Sequence, residues 1–187
     1  MILGAVYLKK QNKLANDTLV VTTMSNIGLH VAAKEYGIDL AITDVGDRYV
    51  IEEMKKSGHN LGGEQSGHMI FLDYNTTGDG TLSSLIVSKI VKEDGKTLSE
   101  QSALMTTYPQ VLINVDVRNE VKNKFMENDE IRTEIEKLEK LMAGTGRVLI
   151  RPSGTQPLVR VMLEGKEEGQ IKELATNLAN LIQEKLS

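Results

Sequence analysis

Apolar positions along the first hundred residues come in short blocks whose period switches between that of a strand and that of a helix. "TLVVTT" (18–23) is a β-branched run that predicts a short buried strand. A helix follows to Tyr36, with Ser25 or Asn26 available as its cap and Gly37 at its end. "IDLAIT" (38–43) predicts a second strand, and "RYVIEEMKKSG" (48–58) a helix stopped by Gly58. "HNLGGEQSGHMIFLDY" (59–74) reads as two short strands around the turn Gly62-Gly63-Glu64-Gln65-Ser66-Gly67. "GDGTLSSLIVSKIVKEDG" (78–95) is a helix with Leu82, Leu85, Ile86 and Ile90 on one face. Strands alternating with helices indicate an α/β unit with a largely parallel sheet.

After a polar stretch ending at Pro109 the order changes. "QVLINVDV" (110–117) is a strand, and "NDEIRTEIEKLEKLMAG" (128–144) a helix with Ile131, Ile135, Leu138 and Leu141 or Met142 inward. Two branched apolar runs then flank "RPSGTQP" (151–157), and a last helix carries Ile171, Leu174, Leu178, Leu181 and Ile182. Strand-helix-strand-strand-helix is a compact α+β domain. The expected division is therefore an α/β domain over 1–105 and an α+β domain over 106–187. At the other end, "MILGAVYLKKQNKL" (1–14) starts at once on an apolar face of Ile2, Leu3, Val6, Tyr7 and Leu14, with no capping residue. It reads as a short first helix or as one that begins further upstream.

Composition narrows the partners. The chain has 187 residues, 40% hydrophobic and 26% charged, ordinary values for a globular protein. No apolar run is long enough to span a bilayer and no leader pattern opens the chain, so no membrane partner is expected. Cysteine is absent, which excludes disulfides and thiolate metal sites and favours a reducing cytoplasm. A net charge of −4 argues against a nucleic-acid partner, and an anionic ligand would have to be drawn in by a local field.

That requirement directs attention to the tip of the C-terminal hairpin. Between Arg151 and Arg160 lie Ser153, Gly154 and Thr155 and no acidic residue. Glycine lets neighbouring N–H groups turn toward one point, the hydroxyls add donors, and arginine grips phosphate oxygens in a fork. The plain alternative is a polar turn stiffened by Pro152 and Pro157. In "GGEQSGH" (62–68), Glu64 and Ser66 offer an acceptor and a donor suited to sugar hydroxyls. His59, Glu64 and His68 lack the helical spacing of a metal site, and His68 is expected as a half-buried strand residue. Asp44, Asp47 and Arg48 in "TDVGDRYV" suggest a magnesium loop or, more simply, a turn and helix cap; "TTGDG" (76–80) likewise looks like a cap.

Taken together, "VGDRYV", "NLGGEQSGH", "DYNTTGDG" and "RPSGTQPLVRVM" resemble the α-D-phosphohexomutase superfamily, and within it the members acting on glucosamine phosphates. The resemblance runs along essentially the whole chain. It implies four-domain enzymes, isomerases that move phosphate between the 6- and 1-positions of a hexose. They do so through a phosphoserine, a magnesium ion and a bisphosphorylated sugar, and supply amino-sugar nucleotides for the cell wall. By resemblance the α/β half is the third domain, with Glu64 and Ser66 reading the sugar. The C-terminal half is the fourth, with Arg151, Ser153, Gly154 and Thr155 holding the phosphate and Arg160 in support.

The sequence departs from the family pattern in two respects. Gln156 stands where the family loop carries glutamate. The catalytic "Ser-His-Asn-Pro" loop and the "Asp-Gly-Asp-x-Asp-Arg" metal loop, which belong to the first two domains, do not occur. The expectation is a recognition portion without catalytic residues or metal ligands, whose partners are a hexosamine phosphate and the preceding domains. The rival reading is a stand-alone binding or regulatory module for hexose phosphates.

Overall fold

In the computed structural model, which describes residues 1–186, the run Thr18–Thr22 forms a strand (β1) buried at every position. Its two faces meet different helices. Leu19 and Val21 join the larger core with Ala5, Leu8, Leu29 and Ile90; Val20 packs with Val50, Met54 and Ile70 on the other side. Helices on both faces are what a continuous apolar strand requires. These helices are α1 (Ile2–Lys10), α2 (Ile27–Glu35), α3 (Asp47–Ser57) and α4 (Gly80–Asp94). The other strands are β2 (Asp39–Thr43), β3 (Leu61–Gly63) and β4 (Met69–Phe71), in the order β2-β1-β3-β4. β2 and β3 run parallel to β1, and β4 is antiparallel to β3. These elements belong to the first of two units, Met1–Thr107.

The caps show why the helices start where they do. Asn26, not Ser25, closes α2 by accepting from the Gly28 N–H at 3.0 Å. Asp79 closes α4 through the Leu82 N–H at 2.9 Å, and this bond, with Asn75, holds its carboxyl below the usual carboxylate range. A short helix, α5 (Leu98–Ser102), was not expected; a reciprocal capping box of Thr97 and Glu100 secures it. Three expectations are corrected. Leu85 does not share the inward face of α4: it is 64% exposed, whereas Ile90 is fully buried. Gly62 and Gly63 are strand residues of β3, paired with Val20 and Val21 of β1, and the close packing requires glycine: a Cβ on Gly62 would lie 2.7 Å from both Val50 and Met54, and one on Gly63 would lie 2.5 Å from the His68 carbonyl. His68 is exposed and stands just before β4 rather than half-buried within it.

The second unit, Tyr108–Ser187, is a three-stranded antiparallel sheet carrying two helices. Its strands are β5 (Gln110–Asp116), β6 (Gly146–Pro152) and the central β7 (Leu158–Gly165). Val159, Val161 and Leu163 point to the helices α6 (Asp129–Met142) and α7 (Glu168–Leu186). Ile131, Ile135, Leu138 and Met142 form the buried stripe of α6, and Leu141 is left outside. Ile171, Leu178 and Ile182 of α7 are essentially inaccessible, each side chain contributing roughly 1.5–3 kcal/mol by burial. A 3₁₀ segment, Lys122–Glu127, precedes α6 and is pinned by Phe125. The chain thus has the α/β-then-α+β fold class that the sequence predicted. Among the described residues, no helix is long and apolar enough to cross a membrane.

Candidate functional site: an arginine pair without an acid and the Glu64–Gly67 turn

Side chains alternate along β7, so the residues between Val159, Val161 and Leu163 face away from α6 and α7. Arg160 pairs in register with Arg151 of β6 and with Asn114 of β5, which puts all three on that face. Four residues along, Glu164 is opposite Arg147 and is fully buried, its carboxylate 2.8 Å from the Arg147 guanidinium. The second arginine pair has no such compensation. Among the described residues no acid forms an ion pair with Arg151 or Arg160, although Asp116 lies two residues beyond Asn114 on β5. The Arg160 Nε is buried without a hydrogen-bond partner. Burial, and then the charge of Arg160, push the Arg151 guanidinium below its ordinary pKa. Two half-buried cations side by side, with no acid paired to either, suit an anion.

The loop 153–157 closes directly beyond this pair. The Ser153 N–H donates to the Leu158 carbonyl at 2.9 Å, and the Ser153 Oγ accepts from the Gln156 N–H at 3.2 Å. Ser153 is therefore turned into the loop and is buried, whereas Gly154 and Thr155 are exposed. Among the described residues nothing accepts from the Gly154 or Thr155 N–H. Gly154 does not adopt left-handed backbone, and a Cβ there would meet nothing within 4 Å. Glycine here thus provides open backbone, which suits close approach of a ligand.

In the first unit, β1, β2 and β3 are parallel, so the segments that follow them emerge at one edge of the sheet. Strand order reverses between β1 and β3, the topological switch point where open α/β sheets take ligands. The Glu64–Gly67 turn leaves β3 at that point and is closed by the Gly67 N–H to the Glu64 carbonyl at 3.1 Å. The Glu64 side chain is 11% exposed and lies 3.6 Å from the His68 ring, while Ser66 is at the open tip. Such a turn offers a steadied carboxylate acceptor and an accessible hydroxyl.

The other sequence candidates separate. His59 lies beside Asn16, away from the Glu64–His68 pair. Gly46 caps α3, and Asp47 occupies its first turn, accepting from the Arg48 N–H at 2.8 Å. Arg48 pairs with Glu52 along the exposed helix. Among the described residues no three His, Asp or Glu side chains converge at metal-binding spacing, so the residues present do not fit a magnesium site. One participant was missed by sequence reasoning. Lys122 donates to the Gln156 carbonyl at 3.2 Å, a contact across 34 positions that leaves no local sequence signal.

Comparison with known proteins identifies the family and the fold. The model of phosphoglucomutase/phosphomannomutase alpha/beta/alpha domain III matches residues 1–108, and that of the phosphoglucomutase/phosphomannomutase C-terminal domain matches 112–181. All 187 residues align at 72% identity with phosphoglucosamine mutase of Clostridioides difficile (strain 630), and at 59% with that of Thermoanaerobacter sp. (strain X514). The chain spans 42% of the length of each. Its fold matches Aspergillus fumigatus N-acetylphosphoglucosamine mutase in complex with GlcNAc-6P and magnesium, with a TM-score of 0.80 at 20% identity, covering all of this chain and 43% of that one. The chain belongs to the phosphoglucomutase/phosphomannomutase family, of which it carries domain III and the C-terminal domain.

Proposed function

We propose that this chain is the sugar-phosphate recognition portion of a phosphoglucosamine mutase that interconverts glucosamine 6-phosphate and glucosamine 1-phosphate in the cytoplasm. The relatives' names support the substrate class. The observation that carries the reading is the arginine pair, held in register without an acid beneath a loop with two free N–H donors. In this reading residues 106–187 hold the phosphate. Arg151 binds its oxygens with Arg160 behind, Gly154 and Thr155 donate N–H bonds, and Ser153 keeps the loop closed. Residues 1–105 read the sugar: Glu64 accepts from a hydroxyl or ammonium, and Ser66 donates.

The chain's own residues bind and orient; none is placed to attack phosphorus. Transfer itself needs a positioned nucleophile and neutralisation of developing charge. The serine loop, magnesium ligands and bisphosphate turnover that the family resemblance implies therefore belong to the rest of the longer protein, and this chain alone turns nothing over.

An arginine–phosphate contact at about 4 Å amounts to about 4 kcal/mol at an effective dielectric near 20. Competition with water leaves a net of about 1.5–3 kcal/mol. Titrating the chain with inorganic phosphate and glucosamine 6-phosphate by NMR tests the reading. Arg151→Ala weakens both by about tenfold or more, and Arg151→Lys restores only part, since the planar fork is lost. Equal affinities in all three proteins would remove Arg151 from the site.

A further inference from the structure

The five-residue loop 153–157 has more polar backbone than its own bonds satisfy, and a neighbouring segment supplies the remainder. The Val117 N–H donates to the Pro157 carbonyl at 3.0 Å, and the Lys122 ammonium to the Gln156 carbonyl at 3.2 Å. That same carbonyl accepts from the Leu158 N–H at 2.9 Å. Residues 117–122 thus hold two consecutive loop carbonyls. The segment is fixed in turn, because Val117 is buried and Phe125, in the 3₁₀ turn that Lys122 opens, belongs to the core.

Carbonyls and N–H groups of a short loop compete for the space in front of it. An anion is repelled by a carbonyl dipole and attracted by an N–H, so a loop binds phosphate only if its carbonyls are turned elsewhere. Here the Gln156 and Pro157 carbonyls are occupied, and the Gly154 and Thr155 N–H groups have no acceptor among the described residues. Lys122 is half-buried and, among the described residues, forms no ion pair with an acid. Its charge therefore adds to the field of Arg151 and Arg160.

We propose that Lys122 is a positioning residue of the phosphate-binding loop, drawing the Gln156 carbonyl aside so that the Gly154 and Thr155 N–H groups meet a phosphate dianion. This rests on the assignment of the loop as a phosphate site. A lysine–carbonyl bond on an ordinary exposed turn contributes little. The difference here is that the bond holds a loop whose Gly154 and Thr155 N–H donors are unused.

The test is a phosphate titration of the 187-residue chain and its variants, followed on the loop amides. Lys122→Met weakens inorganic phosphate by about three- to tenfold, the span of one ordinary hydrogen bond, because Lys122 acts on the anion through the loop and not by direct contact. It also shifts the Gly154 and Thr155 amide resonances before any phosphate is added, with the thermal midpoint unchanged. Lys122→Arg, which still reaches the carbonyl, recovers both the resonances and the affinity. Wild-type affinity in Lys122→Met, with Arg151→Ala impaired, overturns the role of Lys122 and leaves the phosphate site standing. A Lys122→Arg protein as weak as Lys122→Met overturns it too, because the carbonyl contact would then not be what matters. If Arg151→Ala binds phosphate as wild type does, the loop assignment itself falls.

Discussion

Arg151 and Arg160 are direct cross-strand partners, the last outward-facing pair before the loop that joins β6 to β7. Like charges directly opposite destabilise a sheet, and the buried Arg160 Nε without a partner adds to the cost. Four residues away the same two strands hold Arg147 against Glu164, so the sheet accommodates a compensated pair where no anion is wanted.

Stability and binding should therefore move in opposite directions at this pair. Arg160→Met removes the repulsion and the orphaned donor, and raises the stability of the C-terminal unit by about 1 kcal/mol in urea denaturation. The same variant binds inorganic phosphate more weakly. A loss of stability would mean that Arg160 serves the fold.

Gly154→Ala separates loop conformation from ligand approach. With ordinary backbone and open space around the site, the variant stays within about 0.5 kcal/mol of wild type. Phosphate affinity falls roughly fivefold or more, because a methyl at contact distance pushes the anion beyond hydrogen-bond length. Unchanged affinity by titration would show that the anion does not reach the Gly154 backbone.

Glu64→Gln keeps the shape of the first unit's turn and removes its charge. Inorganic phosphate affinity stays unchanged, while glucosamine 6-phosphate loses about 1 kcal/mol, the worth of one hydrogen bond to the sugar. Parallel losses for both ligands would dissociate Glu64 from sugar recognition.

Gly62→Ala tests the account of β3. Its methyl would press on Val50 and Met54, both fully buried, and 3.1 Å from the Val20 carbonyl. Overpacking of that kind costs about 1–3 kcal/mol, read as a lower thermal midpoint of the first unit. A neutral outcome would mean that α3 yields easily.

What the sequence made legible follows from the range of each signal. β1, α6 and α7 are set by local periodicity, and Asn26 and Asp79 by capping chemistry within a few residues. α5 was overlooked for its five residues, although Thr97 and Glu100 carry the spacing of a capping box. The 3₁₀ segment offers one apolar anchor, Phe125, and no period to read. Gly62 and Gly63 read as a turn because glycine is ambiguous until the helix pressing on it is known. The motifs identified the loop, but not that Ser153 faces inward, nor that Lys122 reaches Gln156. Those contacts depend on how distant segments pack.

The unequal charge balance along the outward face of the C-terminal sheet also bears on kinetics. Arg147 and Glu164 cancel at one end, and Arg151 and Arg160 stay uncancelled at the other, in a chain whose net charge is −4. A dianion arriving from solution meets a general repulsion and a single local attraction, so its encounters are concentrated at the loop end. Exposed charges further than a Debye length, about 10 Å at 0.1 M salt, are largely screened. Added salt thus removes the distant repulsion before it weakens the nearby arginines, and the association rate at this loop is less salt-sensitive than that of a ligand steered by the charge of a whole protein.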